Sequence, residues 1–97
     1  MRPRERYLVE GPAHFGDDEL LALILGTGTA SSTALEIARD LLAHFDGPRG
    51  VLQAPPGALS SIPGVGSARA VRVHAACALG RRARLYPPPQ RLSLIHI

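Results

Sequence analysis

The chain contains one short loop twice, Leu25-Gly26-Thr27-Gly28 and Pro63-Gly64-Val65-Gly66, each preceded by an apolar run and followed by an Ala-rich stretch of helical period. Superposing Gly26 on Gly64 and Gly28 on Gly66 also superposes Leu21 on Leu59 and Ile24 on Ile62, so the match is more than two glycine pairs. Such a repeat describes two copies of a helix, Gly-x-Gly hairpin, helix unit. Two of these units bury together faces that neither covers alone, about a pseudo-two-fold axis. A hairpin of this form also aims backbone N–H groups at the start of its second helix, where the dipole is positive. That arrangement is a seat for a phosphate.

With 97 residues there is room for one domain. Aromatics make up only 4% against 45% hydrophobic residues, so the core must be Leu, Ile, Val and Ala, the palette of packed helices. The expected fold is all-α, a compact bundle of four to five helices built from the paired units. A lone cysteine, Cys77, excludes an internal disulfide, and no basic segment followed by an apolar one opens the chain. A cytoplasmic setting is expected. The longest apolar run, Leu20 to Leu25, is far too short to cross a bilayer, and no membrane partner is expected.

Local signals place the helices. A first short helix over Arg2 to Val9 is closed by Gly11-Pro12. Asp17 and Asp18 are expected as N-cap and first-turn residues of a second, near-continuously apolar helix that Gly26 ends and that should be buried on most sides. The additional residues Ala30 to Thr33 precede the third, which opens on a Thr33/Glu36 capping box and runs to about Phe45. Its core positions are Leu35, Ile37, Ala38, Leu41, Leu42 and Phe45, with Arg39 and Asp40 toward water. Gly50 to Ala54 forms a single turn and Pro56 to Ile62 the first helix of the second unit. Ser67 is expected to cap a long helix from Ala68 to about Arg84, with Val71, Ala75, Ala78 and Leu79 packed inward.

Charge separates the two hairpins. Residues 1–46 hold every acid of the chain, whereas residues 47–97 hold arginines and no acid. Arg69 and Arg72 share one face of the helix after the second hairpin, while the helix after the first bears Glu36 and Asp40, which repel a phosphate. The seat is therefore assigned to Gly64, Val65, Gly66 and Ser67 with Arg69 and Arg72, and Val65 plugs inward between the glycines. Gly26, Thr27 and Gly28 form the structural hairpin. Arg81, Arg82 and Arg84 either widen the footprint or complement a helix C-terminus.

No catalytic or metal-binding constellation appears. His14, His44, His74 and His96 stand apart, and Cys77 has no His or acid spaced to activate it. No cofactor is expected in this chain, which is not expected to be an enzyme.

The runs Arg2-Pro3-Arg4-Glu5-Arg6, Glu19 to Thr29, Ala34 to Arg39 and Ile62-Pro63-Gly64-Val65-Gly66 resemble, in order and spacing, the N-terminal helix-hairpin-helix domain of the RadC family of DNA repair proteins. The resemblance spans about residues 2–86. It implies a C-terminal domain of the JAB/MPN type, absent here, whose zinc is held by a Glu, a His-x-His pair and an Asp. Residues 1–86 would then be the RadC-like domain and 87–91 the start of a Pro-rich linker. Residues 92–97 match the translation of a common sequencing adapter and are expected to be a non-native tail. The functional expectation is a non-catalytic domain that binds the DNA backbone weakly and without sequence preference, tethering the metal domain. The alternative is a structural or protein-interaction module that contacts the missing domain and not DNA. The oligomeric state is not legible in the sequence.

Overall fold

Glycines, prolines and one capping hydroxyl mark the boundaries of almost every element. The computed structural model describes residues 2–29 and 31–85; the expected linker and tail, and His96 with them, lie outside the described residues. The described residues are all-helical, with six α-helices where four to five were expected. Helix α1, Pro3–Glu10, starts on a proline suited to a first turn and ends at Gly11, whose φ of 76° only glycine adopts freely. A 3-10 turn, Pro12–His14, leads to α2, Asp17–Leu25. The cap of α2 is Gly16 instead of an aspartate: its N–H donates to Glu19 Oε1 at 3.0 Å, and Asp17 and Asp18 lie in the first turn.

Helix α3, Ala34–His44, carries the expected capping box, with Glu36 N–H donating to Thr33 Oγ1 at 3.1 Å and Thr33 N–H to Glu36 Oε1 at 2.8 Å. Asp46 and Gly47, both at positive φ, turn the chain into α4, Pro48–Gln53, one proline-led step earlier than expected. Helix α5, Pro56–Ser60, and α6, Gly66–Leu85, complete the fold. Because α6 starts at Gly66, Ser67 sits inside its first turn and is not its cap.

Helix α2 packs on α3 and α6, α5 packs on α6, and α4 bridges α3 and α6. Between them Leu25, Ile37, Leu41, Leu59, Val65 and Val73 are almost completely buried. Each such side chain contributes roughly 1.5–3 kcal/mol of burial free energy. Two expectations fail here. Helix α2 buries only Leu21 and Leu25, leaving Leu20, Leu23 and Ile24 half-covered or exposed beneath α1. The inward stripe of α6 is Ala70, Val73 and half-buried Cys77, whereas Val71 and Leu79 are 59% and 69% exposed. Both stripes have helical period; the one that joins the shared core carries Ala70 and Val73. In α3, Ile37, Ala38 and Leu41 are buried and Leu35, Leu42 and Phe45 partly so, while Arg39 and Asp40 face solvent.

An aromatic and ionic cluster, without a counterpart in the sequence reading, fastens α1. Arg6 donates to Glu19 Oε2 at 2.8 Å and lies over the Phe15 ring at 3.9 Å, and Tyr7 meets Phe15 edge to face.

Candidate nucleic-acid interface

The two glycine loops lie against each other. At Gly64 the backbone has φ of 90°, and a Cβ would stand 2.8 Å from Ile37 Cδ1, so glycine is required both by conformation and by the approach of the second hairpin to α3. Val65 is 1% exposed and fills the space between α5 and α6, as its position between glycines predicts. Gly66, φ 64°, meets nothing: a Cβ there would point into open space, and Ser67 beside it is exposed.

The first loop is closed on itself. A Cβ at Gly28 would run into the backbone carbonyl of Ser32, and Thr29 N–H donates to that same oxygen at 2.8 Å. Thr29 Oγ1 accepts from Ser32 N–H at 3.1 Å. Thr29, Ser32 and Thr33 therefore close on Gly28, whereas Gly66 of the second loop is open, and Gly26, φ 84°, ends α2.

Arg69 and Arg72 stand where the loops meet. Arg69 donates to Gly64 O at 3.0 Å, Thr27 O at 2.6 Å and Gly28 O at 3.3 Å, joining one hairpin to the other. Arg72 donates to Leu25 O at 2.9 Å and Ile24 O at 3.3 Å, among the carbonyls that α2 leaves without helical partners. Arg69 and Arg72, expected to share one face toward a phosphate, lie across the join and reach backbone carbonyls. Each guanidinium keeps its charge beside the open turn, since carbonyl acceptors do not neutralise it. Arg81 donates to Leu52 O, tying α6 to α4, while Arg82 and Arg84 are exposed in the last turn of α6.

The remaining chemistry-bearing residues do not converge. Among the described residues no three of His, Cys, Asp and Glu come together as a metal site. His74 and Cys77 are half-buried on α6, and burial pushes the Cys77 thiol up against the opposing charge of Arg81. No helix of the described residues is long and apolar enough to cross a membrane.

These features define a small all-helical module whose two glycine hairpins are clamped together, one closed and one open. The chain belongs to the UPF0758 family, which is the RadC family: the profile described as UPF0758 N-terminal matches residues 1–71. It is 46% identical over 92 residues to a UPF0758 protein of Desulforamulus reducens, covering 95% of this chain and 40% of that one. It is 45% identical over 91 residues to one of Leptothrix cholodnii, with 94% and 41% covered, and 49% identical over 82 residues to one of Bordetella petrii, with 84% and 36% covered. The chain thus spans about two fifths of the length of these relatives. No solved structure matches it.

Proposed function

We propose that this segment holds nucleic-acid backbones without sequence preference, through the N-terminal turn of α6. On this reading α2–α3 and α5–α6 are tandem helix-hairpin-helix units, and the second does the binding in a RadC-like DNA repair protein. The observation that carries the reading is the contrast between the loops. Gly66 and Ser67 open a 20-residue helix to solvent, with Arg69 and Arg72 beside them and no acid in residues 47–97. The first turn of such a helix offers N–H groups without intrahelical partners to an anion. A footprint of two or so phosphates gives weak, salt-sensitive binding, with Kd on the order of 10⁻⁴ to 10⁻⁶ M. Any zinc-dependent chemistry belongs to the longer relatives' remaining chain.

The arginines are poor places to test this, because their loss also loosens the join. Ser67→Glu is better: a carboxylate in the first turn favours the helix dipole while repelling phosphate. In fluorescence anisotropy titrations with short single-stranded and duplex DNA at low salt, the unsubstituted chain should bind saturably and S67E at least tenfold more weakly, with unchanged thermal stability. Equal binding by both overturns the assignment of the seat. No binding by either favours the second reading, an interaction module, to which the use of Arg69 and Arg72 on backbone carbonyls lends support.

A further inference from the structure

Helix α6 carries a second apolar stripe that nothing among the described residues covers. Val71, Ala75, Ala78 and Leu79 recur at the spacing of a packed face, yet Val71, Ala75 and Leu79 are exposed and Ala78 is half-buried. Beyond Val73 no described residue of α6 is buried; Cys77 and Arg81 touch the body of the domain, and the helix continues to Leu85, 70% exposed, through Gly80, a residue that weakens a helix relative to alanine. The core accounts for the first half of the helix only. The family profile also stops at residue 71, where this stripe begins.

Arg72 lies beside the stripe, Arg82 ends it one turn beyond Ala78 and Leu79, and α6 bears no acid. Two copies of this face would bring the arginines of both helices, and no carboxylate of α6, into one interface, which disfavours self-pairing. The larger part of each long relative lies outside the matched region, and the profile is that of an N-terminal segment, so this remainder follows α6 in the chain. Covalent attachment gives such a partner an effective concentration on the order of millimolar. We propose that in full-length UPF0758 proteins the part of the chain after α6 packs on its outer face, through an apolar surface rimmed by carboxylates. The proposal does not depend on nucleic-acid binding.

Thiol labelling tests it. Leu79→Cys in a Cys77→Ala background of this chain should react with a maleimide at the rate of a free thiol. A cysteine at the aligned position of the full-length Desulforamulus reducens protein, with its other cysteines removed, should react at least tenfold more slowly until denaturant is added. A cysteine aligned with exposed Arg39 should react alike in both proteins. Ala75→Cys is the second variant, for use where Leu79→Cys lowers the helical circular dichroism. Adding glutamate at the position aligned with Arg82 should speed labelling in the full-length protein. Equal rates for the stripe cysteine in both proteins overturn the proposal. Slow, concentration-dependent labelling in this chain alone also overturns it, since a second copy then covers the face.

Discussion

Arg69 reaches three carbonyl oxygens on two loops, a geometry that the planar fork of a guanidinium supplies and the point charge of an ammonium does not. Replacing Arg69 by alanine should lower unfolding free energy by about 1–3 kcal/mol, the range for a hydrogen bond to a charged group, and Arg69→Lys should recover less than half. Urea denaturation followed by circular dichroism checks both; a lysine variant as stable as the original would show that charge alone suffices. The glycines and Val65 were legible because a positive φ and an inward plug follow from residue type and neighbours. The destination of Arg69 was not, because two of its three acceptors, Thr27 O and Gly28 O, lie some forty residues away in sequence and only the packing of one loop on the other brings them near. The Arg6, Glu19 and Phe15 cluster was hidden for the same reason.

At the scale of elements, helix N-termini gather the carboxylates. Arg39 holds the Asp18 carboxyl below its ordinary value, the Gly16 N–H and then Arg6 do so for Glu19, and the Thr33 N–H and hydroxyl for Glu36. Each folded-state pKa thus lies below the unfolded one, so the stabilisation is complete above the unfolded values and is lost as pH falls through the folded ones. The melting temperature should stay level from about pH 7 to 5.5 and fall below about pH 4.5, where carboxylates of ordinary affinity begin to protonate. Thr33→Ala, which removes the hydroxyl cap of α3 but keeps the N–H that holds Glu36, should lower the melting temperature, and Glu36→Gln should flatten the acid limb; an unchanged limb in the glutamine variant would mean that Glu36 contributes nothing to it. The Thr33/Glu36 box was readable because its partners are three residues apart. The buried face of α6 was not, because apolar residues lie on two sides of that helix and period alone does not rank them. Tertiary packing decided it: Ala70 and Val73 join the core cluster, while Val71 and Leu79 stay exposed.

For the whole molecule, the two hairpin pairs share one core. Leu59 from α5 and Leu41 from α3 belong to the same cluster, with Val51 of α4 between the units in sequence. Leu59→Ala should therefore cost about 2–5 kcal/mol and weaken the entire domain in one transition. Coincident urea curves from helical circular dichroism and from hydrogen exchange in α3 would show this; an α3 that keeps its protection would mean that the units melt separately. The low aromatic content announced an all-helical fold with an aliphatic core. The number of helices was less legible, because α4 and α5 are too short for periodicity to register.

One dimension of α6 carries a last consequence. At 1.5 Å per residue its 20 residues measure about 30 Å, close to the pitch of one turn of duplex DNA. The open turn at Gly66 and the exit at Leu85 are joined by this single rod and by no hinge. The end of the helix at Leu85 is therefore held at a fixed distance from the open turn at Gly66, so a probe placed at each would report one separation and not a spread.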